Sequence, residues 1–92
     1  VSVAALPESE TAKANSIPLA ELVYDQKAEI VLLDEAVQGF TRRRFLDLGL
    51  TPGTLIYPEL KNFFGDPRAY RVRGTLIALR KDQAAQIWVK PV

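Results

Sequence analysis

The 92-residue sequence contains no cysteine, no histidine and no methionine. Without cysteine, disulfide bonds are excluded, so the fold has to be held by packing and hydrogen bonding alone. The same absences remove the side chains that bind borderline and soft transition metals best. Only carboxylate, amide and carbonyl oxygens remain for a metal such as iron or manganese, and we predict no metal ligands and no cofactor in this chain by itself.

The sequence also lacks side chains that enzymes commonly use for catalysis. Neither histidine nor cysteine is available as a general acid, general base or nucleophile, and no glycine-rich phosphate loop is present. The nearest pair of carboxylates, Asp34 and Glu35, is adjacent in sequence, and we expect the two side chains to point to different faces. The sequence therefore predicts a protein that is not an enzyme and has no catalytic residues.

No apolar run approaches the ~20 residues that a membrane-spanning helix needs, and no signal-peptide pattern opens the chain. With 48% hydrophobic and 25% charged residues, the composition is typical of one globular domain. We expect a cytoplasmic protein without membrane insertion. Because the chain starts at Val1 and lacks methionine, we also expect a fragment of a longer protein.

The chain divides into an arm and a domain. Residues 1–16 show no sustained periodicity and predict a linker or flexible arm, and residues 17–92 form the domain. A helical turn is expected over Ile17–Val23, with Pro18 at its start, and a helix over Gly39–Leu48. Alternating or apolar segments predict five strands, at Ala28–Asp34, Thr54–Leu60, Arg68–Arg73, Thr75–Leu79 and Ile87–Val89.

The connections carry clear turn chemistry. Gly49 follows the predicted helix, where a residue with positive φ closes the last turn. Thr51-Pro52-Gly53-Thr54 has proline and glycine at the central positions of a type II turn, and Gly74 centres a tight hairpin. Asp82 is placed to cap a single helical turn over residues 83–86.

Burial patterns are predicted as well. Thr41, Phe45 and Leu48 share one helix face, which Leu46 widens. The apolar run over residues 30–33 favours a first strand buried on both sides, and Pro58 restricts the second strand to a sheet edge or a bulge. Short strands, one helix and no βαβ crossover indicate a mainly β, strongly bent barrel.

Two motifs resemble the FeoA family. They are TRRRFLDLGLTPGT at residues 41–54 and GDPRAYRVRGTLIALRKDQA at residues 65–84, and the likeness extends over Ile17–Val89. The resemblance implies a small SH3-like barrel of about five strands with a helix inserted after the first. It further implies a non-catalytic interaction domain of iron homeostasis.

Within that family two interpretations remain. In the first, which the fragment-like start and linker-like arm favour, this is the C-terminal domain of a metal-dependent DtxR-type repressor. Its partners are then the other domains of the same repressor, and iron or manganese would bind only in the full-length protein. In the second, it is a stand-alone ferrous iron transport protein A that docks on the cytosolic domain of the transporter FeoB.

The first candidate for partner binding is the cluster Arg42, Arg43 and Arg44. Cations near a helix N-terminus oppose the helix dipole, by about 0.3–1 kcal/mol each, so the cluster does not stabilise the helix. It is either a solvated face with one arginine bridged to a carboxylate such as Asp34, Glu35 or Asp47, or a docking face for an acidic protein. Nucleic acid is a third option, which the net charge of +1 does not favour.

Two further pairs are candidates. Phe63 and Phe64 are adjacent in a loop, so one is expected to cover the barrel end and the other either joins it or contacts a partner. Arg71 and Arg73 alternate with apolar residues on a predicted strand. They form the wet face of an antiparallel sheet or, less in keeping with an inward Tyr70, a surface for single-stranded nucleic acid.

Overall fold

The computed structural model describes residues 13–23, 26–59 and 66–92. Its strands are β1 (Ile17–Pro18), β2 (Ala28–Leu33), β3 (Leu55–Pro58), β4 (Arg68–Val72), β5 (Thr75–Leu79) and β6 (Ile87–Pro91). Its α-helices are α1 (Gly39–Asp47) and α2 (Lys81–Ala84), and a 3-10 helix covers Leu19–Glu21. The predicted mainly β class is confirmed, and the described residues form six strands where five were expected.

The strands form one antiparallel sheet in the order β1-β6-β2-β3-β4-β5. β2 lies between β6 and β3, and its register with β6 shifts between Ile30 and Leu32. The sheet is open between its edge strands, β1 and β5. The 3-10 helix that follows β1 contacts α2, which follows β5, so these two short helices close the open side of the barrel.

The core lies inside this curved sheet. Its largest fully buried side chain is Tyr70 of β4, and α1 contributes Phe45, which is 1% exposed. The other members are aliphatic residues, most of them on the long strands, such as Ile30, Ile56 and Val89, and the rest on the short helices and connecting segments. Because each strand supplies its inward residues, the barrel is held together by side chains that are distant in sequence.

Two burial predictions are wrong. β2 is not buried on both sides, because Ala28, Ile30 and Leu33 are buried while the residues between them are only partly covered. The predicted apolar face of the helix is also wider than the face that the structure buries. Phe45 is buried and Leu48 partly packed, but Thr41 is exposed and Leu46 is 40% exposed, since α1 contacts the barrel over a narrow strip.

The end of α1 has the predicted geometry. Gly49 has φ +96°, and its N–H donates to the carbonyl of Leu46 at 3.0 Å. The N–H of Leu50 donates to the carbonyl of Phe45 at 3.0 Å, which completes a Schellman motif with both of these apolar side chains buried. The type II turn follows, because Gly53 has φ +90° and the turn is closed by a backbone hydrogen bond.

Strand β4 ends one residue earlier than the predicted end at Arg73. β4 ends at Val72, which pairs with Thr75, and Arg73 and Gly74 form the turn with φ values of +53° and +77°. Positive φ at both positions is typical of the type I′ turn that matches strand twist. The prediction that Arg73 continues an exposed strand ladder with Arg71 is therefore wrong.

Smaller elements also differ from expectation. The segment after residue 16 starts as β1, and only its middle is helical, as a single 3-10 turn. Pro58 lies past the β2 pairing, which ends at Ile56, so its missing N–H interrupts no ladder on that side. Asp82 does not cap α2. The carboxylate of Asp66 accepts from the N–H of Lys81 at 3.0 Å instead.

Candidate docking surface

Helix α1 shows an apolar and basic surface to solvent. We call it the α1 face and define it by five exposed residues: Phe40, Arg42, Arg43, Arg44 and Leu46. The helix is fixed to the barrel mainly through Phe45, and on the sides away from that residue its side chains are exposed. This arrangement leaves most of a helix turn free for contact with another surface.

The most exposed large apolar side chain among the described residues is Phe40, at 92%. Sequence reasoning missed it, although the signal was present. Phe40 precedes Phe45 by five residues, which places it about 140° around the helix from the buried side chain. It lies three and four residues before Arg43 and Arg44, so an aromatic ring and two guanidinium groups share the solvent side.

The three arginines are not equivalent. Arg42 donates through Nη1 to the carbonyl of Val37 at 3.2 Å, which ties it to the turn before the helix. Within the described part of the chain, Arg43 and Arg44 make neither a side-chain hydrogen bond nor an ion pair. No acidic residue lies in the first turn of α1, and Gln38 at the N-cap makes no side-chain capping bond.

Two of the three carboxylates expected to neutralise one arginine, Asp34 and Glu35, are engaged elsewhere. Lys13 Nζ lies 3.4 Å from Asp34 Oδ2 and 3.8 Å from Glu35 Oε1, so these two side chains approach one cation and do not diverge as predicted. Asp34 also accepts from the indole N–H of Trp88 at 3.1 Å. The backbone N–H of Ala36 and this indole N–H lower the pKa of Asp34, with a smaller contribution from Lys13.

The two hairpin arginines have local partners. Arg71 Nε lies 3.3 Å from Glu59 Oε2 in a half-exposed ion pair. Arg73 donates through Nη2 to the hydroxyls of Thr54 at 3.3 Å and Thr51 at 3.4 Å, and so joins the hairpin to the turn after α1. Both side chains therefore make contacts within the fold. They do not form a continuous basic stripe with each other.

A buried tyrosine lies beside a third hairpin arginine. Burial raises the pKa of the Tyr70 hydroxyl, and the nearby Arg68 guanidinium opposes that effect by charge and hydrogen bonding. Arg68 also donates to the carbonyl of Ala20 at 3.3 Å. This contact links β4 to the 3-10 helix and belongs to the closure of the barrel.

Phe63 and Phe64 lie outside the described residues. The described ranges contain no group of three or more acidic residues placed to hold a metal ion. Over the same ranges, no helix is long and apolar enough to cross a membrane.

The barrel has one helix after its first long strand and two glycine-dependent turns. The sequence that forms it matches a known family model. The FeoA domain matches residues 17–91. The chain belongs to the FeoA family. It is accordingly a domain of iron transport or iron-dependent regulation.

Solved structures of this family superpose well. The FeoA-like protein from Clostridium acetobutylicum is 35% identical with a TM-score of 0.72, over 85% of this chain and 88% of that chain. FeoA from Stenotrophomonas maltophilia, described as a prokaryotic SH3 domain protein complexed with zinc, is 25% identical with a TM-score of 0.67, over 78% and 87%. No curated protein matches the chain.

The same fold also occurs inside a longer regulator. IdeR of T. acidophilum matches with a TM-score of 0.67 at 22% identity, over 84% of this chain but only 34% of that chain. At this identity the likeness concerns the fold alone. A FeoA-type barrel thus occurs both as a nearly complete small protein and as about a third of a larger one.

Proposed function

We propose that this domain is a non-catalytic docking module of iron homeostasis that works in the cytoplasm as the C-terminal domain of a DtxR-type repressor. The α1 face is the surface that contacts the partner, and the partner is the rest of the same repressor. Docking would bias the assembly of the DNA-binding and dimerisation domains. The domain itself needs neither a catalytic residue nor direct contact with nucleic acid for this role.

The observation that carries the proposal is Phe40, 92% exposed beside Arg43 and Arg44, which have no partner among the described residues. Burying an exposed phenylalanine side chain contributes roughly 1.5–3 kcal/mol. Aromatic residues and arginine are also the types that dominate the energetics of protein interfaces. A ring flanked by two guanidinium groups therefore combines an apolar anchor with charged hydrogen-bond donors.

The charge of the surface indicates the chemistry of the partner. The whole chain carries a net charge of only +1, so the positive charge of the α1 face is a local feature. Arg43 and Arg44 gain most from carboxylates presented across the interface, because bidentate arginine–carboxylate pairs are strong and orient both partners. We expect an acidic, partly apolar patch on the contacting domain.

A second function is supported by chain coverage. The match to the Clostridium acetobutylicum protein extends over 88% of that chain, so a small FeoA-type protein of about this size exists. In that case the same α1 face would dock on the cytosolic domain of FeoB, as a stand-alone ferrous iron transport protein A. The surface and its chemistry stay the same, and only the partner changes.

The test removes the anchor and one cation together. In the full-length protein, Phe40→Ala/Arg43→Ala should alter operator affinity at fixed metal concentration if the repressor function holds. If the transport function holds, the same variant should reduce iron uptake. The control is Leu55→Ala/Lys90→Ala, which truncates an exposed leucine and an exposed lysine on the sheet.

Both variants should keep wild-type melting temperatures, since surface changes usually stay within about ±0.5 kcal/mol each. The α1 variant should lose function in one assay, and the control should lose none. Full function of the folded α1 variant in both assays contradicts the proposal.

A further inference from the structure

The edge strand β5, in the part of the chain that the structure describes, lacks the sequence features that usually protect a sheet edge. It covers Thr75–Leu79, and the sequence TLIAL contains no charged residue, no proline and no glycine. Its pairing with β4 is regular, without a bulge. Natural edge strands normally carry such features, because an open row of backbone groups otherwise pairs with another chain.

The turn before β5 determines which of its backbone groups face outward. Val72 pairs with Thr75 across the two-residue turn, so Thr75 directs its N–H and C=O toward β4. These directions alternate along an antiparallel strand, and the groups of Leu76 and Ala78 therefore point away from the sheet. No backbone group of the described residues bonds to them. Both residues are exposed, Leu76 by 48%.

We propose that β5 is a self-association edge, on which a second copy of this chain adds its own β5 in antiparallel orientation. The two-fold axis passes between the Ile77 residues of the two copies. In this register, Leu76 of each copy lies opposite Ala78 of the other, and each of these two pairs exchanges both of its backbone hydrogen bonds. The result is a continuous sheet through two barrels.

A second copy fits this edge better than an unrelated strand. The outward groups belong to Leu76 and Ala78, two residues apart and symmetric about Ile77, so the edge is complementary to itself under a two-fold rotation. The strand brings no like charges to the axis, because its five residues are neutral. Its exposed leucine would lie beside an alanine, which leaves room for the larger side chain.

Salt should strengthen this contact. Arg73 precedes the strand, and Arg80 and Lys81 follow it, so antiparallel pairing brings the basic end of one copy toward the basic turn of the other. Salt screens repulsion between exposed charges. Docking of the α1 face on an acidic partner has the opposite salt dependence, so the two interactions can be told apart. The proposed β5 association is also independent of the proposed function and is tested separately.

The experiment is sedimentation velocity of the 92-residue chain at concentrations up to about 1 mM, at low and high salt. We expect a monomer–dimer equilibrium that shifts toward dimer as salt is raised. Ala78→Pro removes an outward N–H from each copy without taking a donor from the β4 ladder. It should raise the dimer dissociation constant about tenfold or more.

A second variant keeps the experiment decisive if Ala78→Pro disturbs folding. Leu76→Lys places like charges near the axis and should also weaken the dimer. Its matched control is Leu55→Lys, since Leu55 is 51% exposed but lies on β3, which is paired on both sides by β2 and β4. The control should dimerise as the wild type does.

Three results would overturn the proposal. The first is a wild-type monomer at every concentration and salt level, and the second is a dimer that dissociates as salt is raised. The third is an equal response of Leu76→Lys and Leu55→Lys, whether both dimers weaken or neither does. Any of these would place self-association, if present, on another surface.

Discussion

The side chain of Arg73 lies directly against the backbone of Gly49. A Cβ atom added at Gly49 would come within 3.3 Å of Arg73 Cδ and 3.5 Å of a methyl group of Val72. From the same position Arg73 donates to the hydroxyls of Thr51 and Thr54. The glycine thus serves two purposes: its positive φ ends α1, and its missing side chain leaves space for the arginine that joins the hairpin to the helix.

We therefore expect Gly49→Val to destabilise the domain more than Gly53→Val. Both positions have positive φ, so both substitutions cost on the order of 1–3 kcal/mol in backbone strain. Only Gly49 has a neighbour within 4 Å, and a valine there must also displace Arg73. Chemical denaturation of the two variants measures the difference. Equal free energies of unfolding would show that the contact with Arg73 has no energetic consequence.

The three arginines of α1 should differ in their effect on stability. Arg42→Ala loses a hydrogen bond to the carbonyl of Val37 and should cost about 0.5–1.5 kcal/mol. Arg43→Ala and Arg44→Ala should stay within about ±0.5 kcal/mol, because neither side chain has a partner among the described residues. Thermal melts of the three variants test this order. A larger loss for Arg43→Ala than for Arg42→Ala would contradict it.

Asp34 should make stability depend on pH in the acid range. Its pKa is lowered in the folded state from the ordinary value of 3.8, so the charged form stabilises the fold. That contribution is fully present above the unfolded-state pKa and is lost as the pH falls through the lower folded-state pKa. The side chain is 23% exposed and its partner Lys13 is 20% exposed, so we expect no more than about 1 kcal/mol.

Denaturation of wild type and Asp34→Asn between neutral and acid pH measures this contribution. The wild type should be the more stable of the two at neutral pH, and the gap should close below pH 3.8. Trp88 is the one tryptophan of the chain and donates to this carboxylate, so its fluorescence reports the same protonation. A gap that is constant with pH would exclude Asp34 as its source.

The isolated domain should bind Fe²⁺ or Mn²⁺ weakly or not at all. The sequence has no histidine, cysteine or methionine, and the described ranges hold no cluster of acidic side chains. Titration calorimetry of the 92-residue chain with each metal tests this expectation. A stoichiometric site tighter than about 1 µM would contradict it.

Features set by neighbouring residues could be predicted from the sequence. The cap at Gly49, the type II turn at Gly53 and the hairpin at Gly74 each depend on a backbone conformation that glycine adopts most easily. The chemistry that decides such turns lies within a few residues, so the sequence contains it. The predicted boundaries of the strands around these turns are accordingly close to the observed ones.

Features that depend on distant residues could not be predicted. Asp66 caps α2 from 15 positions before Lys81, and Lys13 joins Asp34 from the predicted arm. Alternation alone predicts a strand face for Arg73, because it cannot tell where a two-residue turn begins. Phe40 is a different case, because its spacing of five residues from Phe45 already places it on the solvent side of α1.

The central strand β2 has a consequence for how the protein is made. Its ladder with β6 joins Ala28 to Pro91 and Leu33 to Ile87, whereas its other neighbour, β3, emerges from the ribosome much earlier. During synthesis one edge of β2 therefore stays open until β6 has been added. Such distant pairing slows folding, and an open edge invites aggregation. A nascent chain stalled before Ile87 would carry the core without its closing strand.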